Sequence, residues 1–561
     1  MNGVYRIKGD KHYLMTSDEI IDITDKVENV DIIESDIIEL TDKINLVQNT
    51  KLPIPGILHI SSKTSYGITD KGYMIKKFTP FNKNLPDFLV STRKPYQSTD
   101  IYAVIKFDKI KNRVCYGTIE NYIGDIGEIE SEKNYIQICA TILYSNIKKM
   151  DFKEYFVDRI TDRLEIKGIN IYSIDPEGCI DIDDALHIKV FDDYYEVGIH
   201  IADVSAYIPY NSPLDIELLN RSESIYLKDN QINMLPEQLC NICSLFSNVP
   251  KKSFSIITKI DLDGNMIDYK LVHTTIIVTE NLSYDNAQYL IDNNKNYDLI
   301  NLMKVSQLIN KTLENDTHKM VEVYMILANK IAAIELYKKH KDNAIIRKHH
   351  IEHKIIHTKF PKKISEKINI YNYEAATYSY AIGDFKHDGI DEKYYTHFTS
   401  PIRRYFDIMV HRMLCSDTVT LKPPMMYIIN ENHKRIKLCQ NKDTLFDKIM
   451  DVPDKIYKTE GIVIGIKEKF LRLYVEEFDI DSDINMVPKT LNHLIEIGKE
   501  GDDIYIKSKQ NYRSIRLTIG EKIGIILAIT LKDVTKFRVK ITSPNVEELF
   551  ESNKDVMFEE D

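Results

Sequence analysis

The spacing of apolar and polar positions changes character several times along the chain. Over residues 1–50, short alternating runs (VYRIK, HYLMTS, EIIDITDKV) with charged breaks predict a β-rich segment. A boundary is expected at KLPIPG, residues 51–56, where two prolines and a glycine interrupt regular structure. The runs GILHIS, GYMIKKF, DIYAVIKF and RVCYGTIENYI then recur at short intervals, which predicts a small barrel over 51–150. From 151 to 450, strand-like runs (ALHIKVF, YEVGIHIADV, FSIITKIDL) mix with helical segments. In MVEVYMILANKIAAIELYKKH, Val321, Met325, Ala328 and Ala332 recur at helical spacing, so one face of that helix is expected to be buried. The strand pattern returns over 451–545 and predicts a second small barrel, followed by an acidic tail over 546–561.

The expected fold class is multidomain α+β: a central mixed α/β domain flanked by small OB-type β-barrels. Barrels of this type offer a groove for single strands of nucleic acid. Composition narrows the classes further. With 43% apolar and 28% charged residues, a mostly disordered chain is excluded. No uninterrupted apolar run of about 18 residues predicts a membrane span, and the first residues lack a basic-then-apolar leader, so a cytoplasmic protein is expected. Seven scattered cysteines fit reduced thiols. A net charge of −11 argues against a generally basic nucleic-acid coat, yet allows a basic channel in an acidic body.

The densest chemistry lies in IYSIDPEGCIDIDDALHIKV. Asp175, Asp181, Asp183 and Asp184 fall within ten residues, around a turn made by Pro176 and Gly178 and ahead of the strand ALHIKV. Such a crowd of carboxylates repels itself unless cations sit among it. Hard oxygen donors suit Mg²⁺ or Mn²⁺, and two such ions can activate water and stabilise a leaving oxygen in phosphodiester hydrolysis. The plainer alternative is a solvated acidic loop; the spacing does not fit a calcium-binding EF-hand.

A basic counterpart follows in EKYYTHFTSPIRRYFDIMVHRML. Ser400 is placed as N-cap and Pro401 at the first helical position, with Arg403 and Arg404 in the first turn. A helix N-terminus favours anions, so a phosphate site is the functional reading and an ion-paired helix the plain one. Weaker signals are read as structural. His349, Glu352 and His353 match H-x-x-E-H without a further ligand, and Cys240 and Cys243 read as a buried core pair. Asp479, Asp481 and Asp483 read as a solvated loop. Tyr505, Lys507, Lys509, Tyr512, Arg513 and Arg516 are a candidate backbone-binding face, or equally a lysine-protected edge. His200 and Asp203 read as scaffold that supports the acidic site.

Four ordered blocks, SIDPEGCIDIDDAL, HIADVSAYI, MLPEQLCNICSL and YTHFTSPIRRYFDIMVHR, resemble the ribonuclease II (RNB) family. The resemblance implies a Mg²⁺-dependent (Mn²⁺ also suitable) 3′→5′ exoribonuclease that hydrolyses single-stranded RNA to nucleoside 5′-monophosphates by a two-metal mechanism. It assigns Asp175, Asp181, Asp183 and Asp184 to the metals, with Asp183 essential for chemistry, and Arg403 to the scissile phosphate. Tyr284 corresponds to the aromatic that stacks on the 3′-terminal base, Tyr226 to one that sets product length, and Arg404 joins the RNA-binding set. Family members often carry a glutamate where NENHKRIKLCQNKD places Gln440, and no second stacking aromatic is found between Tyr284 and Glu322. RNA is the expected partner and a monomer the expected state. The alternative is a catalytically inactive RNB-like scaffold or regulator that binds RNA.

Overall fold

The computed structural model describes residues 1–16, 18–27, 30–48, 50–143, 151–351, 360–372, 374–450, 456–467, 470–485, 493–500, 503–510, 513–528, 538–544 and 549. The chain forms two compact units that interleave in sequence. One comprises Met1–Thr50, Ala140–His350 and Ala376–Lys437; the other comprises Lys51–Cys139, Ile351–Ala375 and Leu438–Asp561.

The first unit opens with a five-stranded antiparallel sheet. Its strands are β1 (Asn2–Lys8), β2 (Lys11–Met15), β3 (Ile20–Asp22), β4 (Ile37–Leu40) and β5 (Ile44–Gln48), in the order β3-β2-β1-β4-β5. Tyr5, Leu14, Ile23, Ile38 and Ile44 form its core. The centre of the unit is a seven-stranded sheet of order β11-β18-β17-β14-β13-β12-β19. Its strands are β11 (Leu164–Glu165), β12 (Tyr172–Asp175), β13 (Asp184–Val190), β14 (Tyr194–Ala202), β17 (Pro250–Asp261), β18 (Met266–Ile277) and β19 (Glu280–Ser283). Two short hairpin-like pairs, β15 (Ile225–Leu227) with β16 (Asn230–Ile232) and β20 (Ile345–Lys348) with β21 (Thr377–Tyr380), lie outside it. In β14 the residues Tyr195, Val197, Ile199 and Ile201 are buried, and so are Gly198, His200 and Ala202 between them. Both faces of that strand are therefore covered, which is why its sequence lacks a clean apolar–polar alternation.

Helices α2 (Pro213–Arg221), α3 (Glu237–Cys243), α4 (Tyr284–Asp292), α5 (Tyr297–Ile309), α6 (Thr317–His340) and α8 (Tyr405–Cys415) belong to this unit. The helix expected around Val321 is α6. Its N-cap Asp316 accepts the Lys319 amide, its last turn carries Lys338, Lys339 and His340 toward the negative end of the dipole, and Val321, Ala328 and Ala332 are buried.

The second unit contains the predicted first barrel. Strands β6 (Ile54–Leu58), β7 (Met74–Pro80), β8 (Phe88–Thr92), β9 (Ile101–Lys111) and β10 (Val114–Asp125) close in the order β10-β8-β7-β6-β9, and α1 (Ile129–Thr141) follows. The expected boundary KLPIPG is in part strand. A Cβ on Gly56 would stand 2.3 Å from the Thr79 carbonyl oxygen, so this glycine allows β7 to approach closely. The strands expected over 451–545 are present. Among the described residues, β22 (Ile456–Lys467), β23 (Phe470–Val475), β24 (Ile480–Asn485), β28 (Lys522–Ala528) and β29 (Arg538–Ser543) form one sheet. Strands β25 (Ile495–Glu500), β26 (Asp503–Ser508) and β27 (Ser514–Thr518) form another. Both sheets share a core with Ile364 and Ile368 of α7 (Lys362–Asn372). The long helix α9 (Pro423–Met450) starts in the first unit and ends in the second.

Asp479 and Asp481 are not a solvated loop. Asp479 takes Lys448 and the Tyr474 hydroxyl, and Asp481 takes Lys367 and Arg472; the Asp483 side chain lies outside the described residues, as does Tyr512. Tyr505, Lys507 and Arg516 do share an outward position on β26 and β27.

Candidate active site

The acids sit where β12 ends and β13 begins. The two strands are antiparallel neighbours through Tyr172 and Leu186, and β12 also pairs in parallel with β19, setting Asp175 beside Ser283. The connection turns at once: the Cys179 amide bonds to the Pro176 carbonyl, and Gly178 takes φ +78 in a position that a side chain rarely adopts. The segment after it is pinned to the core. Leu245 donates to the Ile182 carbonyl at 3.0 Å and Ala202 to the Asp183 carbonyl at 2.8 Å. The Ser244 hydroxyl donates to the Ile180 carbonyl at 2.8 Å. Asp181 and Asp183 are consequently buried, while Asp175 and Asp184 are half-buried.

Each carboxylate has a different set of partners. Asp181 accepts the Tyr226 hydroxyl at 2.5 Å. Asp183 accepts the Ile402 amide on Oδ1 at 2.8 Å, and its Oδ2 stands 3.4 Å from Arg403 Nε. Asp175 Oδ2 and Asp183 Oδ2 are buried oxygens without a hydrogen-bond partner. Burial pushes the carboxyls of Asp175, Asp183 and Asp184 up from their ordinary range; Asp181 adds to the shift at Asp175 and Asp183, and Arg403 opposes it at all three. Orphaned, desolvated carboxylate oxygens of like charge are the donor set of a hard divalent cation. The residues therefore fit such an ion in charge and donor type, although among the described residues no three acidic, histidine or cysteine side chains converge on one cation position.

The arginine segment corrects the sequence reading. Helix α8 starts at Tyr405 with Arg404 as its N-cap, so Pro401, Ile402 and Arg403 form a separate turn ahead of it, closed by the Arg404 amide on the Ser400 carbonyl. A side-chain anchor explains the displaced start. Asp407 receives the Ser400 amide and both ends of the Arg404 guanidinium, at 2.8–2.9 Å. Arg404 is thus committed to a bidentate pair with 16% of its side chain exposed, and it positions the turn. Arg403, with 43% exposed and held by the Ser400 hydroxyl at 2.9 Å, is the arginine that faces the acids.

Two aromatics flank them. Tyr226, on β15, is 39% exposed and tied to Asp181. Tyr284 opens α4 directly after the strand that pairs with Asp175, and its hydroxyl is pushed up to about 12 by burial and by Asp184 and Asp175. Its ring stacks on His318, with centroids 3.8 Å apart and planes 12° from parallel. Sequence reasoning missed His318. The first turn of α6 folds back onto α4, with Thr317 bonded to the Tyr284 carbonyl and to Gln288, and no periodicity in the sequence records that long-range contact. Gln440 lies on the part of α9 that belongs to the second unit.

The remaining motifs are structural. Glu352 and His353 lie outside the described residues, and His349 meets His387 edge to face. Cys240 and Cys243 are buried and free. His200 joins a buried chain with His187 and Ser255, at 2.7 Å each.

The family model described as RNB domain matches residues 163–314 and 298–416, a span that holds all four aspartates, both arginines and both tyrosines. The chain carries an RNB domain. It is 28% identical to the human exosome complex exonuclease RRP44 over 450 residues, 65% of this chain and 46% of that protein. The chain spans about half the length of the curated relatives it matches. In fold it is similar to Mycoplasma genitalium RNase R solved with ribose-methylated single-stranded RNA, with a TM-score of 0.67, 17% identity, and coverage of 97% and 100% of the two chains. It is similar too to yeast Ssd1, a pseudonuclease, with a TM-score of 0.66, 15% identity and 96% of each chain covered. The fold is thus shared with proteins named both as a nuclease and as a pseudonuclease.

Proposed function

We propose that this chain is a divalent-cation-dependent 3′→5′ exoribonuclease that degrades single-stranded RNA to nucleoside 5′-monophosphates, with Mg²⁺ as the cation. The observation that carries this reading is the divided role of Asp183. One oxygen fixes the arginine turn through the Ile402 amide, and the other is left bare opposite Arg403. Asp175, Asp181, Asp183 and Asp184 would hold the cation, which when bound supplies neutralising charge and an activated water for phosphodiester hydrolysis. Arg403, oriented by Ser400, meets negative charge developing on the scissile phosphate. Tyr226 keeps Asp181 oriented through its hydroxyl. The Tyr284–His318 stack provides a flat platform at the edge of the acids, where a terminal base of any sequence can rest. The similarity to proteins named exonucleases supports the reaction class.

The test is a time course on 5′-labelled single-stranded RNA with Mg²⁺, beside a metal-free control and Asp183→Asn. A ladder that shortens from the 3′ end and vanishes in both controls is the expected result. A second reading, an inactive RNA-binding scaffold, draws on Gln440, where family members often carry a glutamate. Intact RNA with retained binding under both Mg²⁺ and Mn²⁺ would establish it instead.

A further inference from the structure

At the other end of α8 from Arg403, a second constellation has no part in the proposed RNA chemistry. Asp203 is fully buried after β14, and its Oδ2 receives His273 Nδ1 at 2.7 Å and Arg163 at 2.9 Å. The other nitrogen of that ring, Nε2, lies 3.2 Å from Cys415 Sγ. The imidazole is clamped in this orientation by Phe254, stacked on it with centroids 4.4 Å apart. Carboxylate, imidazole and thiol are therefore in line, with the base oriented by a third group as nucleophilic catalysis requires. Cys415 is the exposed member of the seven cysteines; Cys179 is half-buried and the other five are buried.

The thiol opens on a cavity of about 900 Å³ whose walls include Phe254, Leu271, His273, Lys338 and Cys415. This open cleft, lined by both charged and apolar side chains, can admit a small molecule. The charges around the pair come from every element packed on it. Asp268 and Lys270 lie on β18, Glu335, Lys338 and Lys339 on α6, and His411 one turn back on α8. The end of α8 would by itself disfavour a thiolate. Its last carbonyls are already engaged, that of Leu414 by Lys339 at 2.9 Å and that of Met413 by His340 at 2.8 Å.

We propose that Cys415 is a reactive thiol that exchanges with small disulfides entering this cavity. Cys415 gives its proton to His273 Nε2, and the sulfur attacks one sulfur of R–S–S–R′. The old S–S bond breaks as the Cys415–S–S–R bond forms, and R′–S⁻ leaves and takes the proton back from His273. One disulfide replaces another, so no external oxidant is consumed. Asp203, bonded to His273 Nδ1 at 2.7 Å, stabilises the imidazolium that holds that proton.

The probe is Ellman's disulfide, applied to the full chain, with the site of reaction mapped by mass spectrometry. Folded protein is compared with the same chain unfolded in guanidinium and with His273→Gln, from pH 6 to pH 9. An ordinary thiol is roughly 0.3% thiolate at pH 6. With the imidazole placed to take the thiol proton, Cys415 in the folded chain is expected to react about five- to ten-fold faster at pH 6 than in the unfolded chain. His273→Gln removes this gain. Cys415 reacting no faster than the unfolded chain at pH 6, or unaffected by His273→Gln, would overturn the proposal. If His273→Gln fails to fold, the comparison of folded with unfolded wild type decides alone.

Discussion

At the residue scale, the two oxygens of Asp183 separate structure from chemistry. Asparagine keeps an acceptor for the Ile402 amide and removes the charge; alanine removes both and leaves a buried N–H unpaired, at about 1–3 kcal/mol. Asp183→Asn is expected to lose cleavage by a factor of about a hundred or more while binding RNA nearly as wild type, as read by gel assay and fluorescence anisotropy. Its metal-free melting temperature should equal or exceed that of wild type at pH 8, and that of Asp183→Ala should fall. The sign follows from burial. Carboxyls raised in the folded state contribute stability while protonated and lose it as pH rises from the unfolded value through the folded one. As pH rises through the raised values the metal-free protein accumulates like charges that a cation relieves. Added Mg²⁺ should raise the melting temperature more at pH 8 than at pH 5, and an equal rise at both would contradict the assigned site. The adjacent arginines divide in the same way. Arg404→Ala breaks a nearly buried bidentate pair and is expected to cost roughly 3–5 kcal/mol of stability, whereas Arg403→Ala should slow cleavage with little change in denaturant midpoint. The four acids were legible in the sequence because they lie within one short loop; which arginine faces them was not, because that depends on Asp407 closing the turn.

At the scale of elements, the apolar spacing disclosed what it physically controls. The α6 stripe and four of the five strands of the first barrel follow from periodicity, since each buries one face or a continuous run. The short strand β8, set among prolines and asparagines, gave no such signal. The C-terminal strands were visible individually, but their division into two sheets is a matter of pairing partners, which alternation does not encode. The start of α8 was misplaced for a related reason: Ser400 and Pro401 have the chemistry of a cap, yet Asp407 takes the Ser400 amide from within the helix. Tyr284 and His318 show what only packing of α4 on α6 can reveal. In an Asp183→Asn background, Tyr284→Ala and His318→Ala are each expected to weaken single-stranded RNA binding by about 1–3 kcal/mol, with little dependence on base identity. Unchanged affinity in both would remove the stacking platform from the proposed mechanism.

At the scale of the whole molecule, the two units are each assembled from three stretches of chain. The N-terminal sheet belongs to the same unit as the first part of α9, and Lys422 reaches Asp18 at 2.6 Å across 404 residues of sequence. Burial of Tyr427 near Glu34 and Arg6 ties the same elements together. Seen as a timetable of synthesis, this arrangement imposes a wait. At about 5–20 residues per second, roughly 20–80 s separate the emergence of the first sheet from that of the helix that completes its unit. For that interval the sheet must persist without its final neighbour. Ribosome-stalled chains ending near residue 380 should be cut by protease within residues 1–50, and chains extended past α9 should resist, a difference that pulse-labelled translation can time. The nascent chain is thus most exposed to proteases and to aggregation when most of its catalytic residues have already been made.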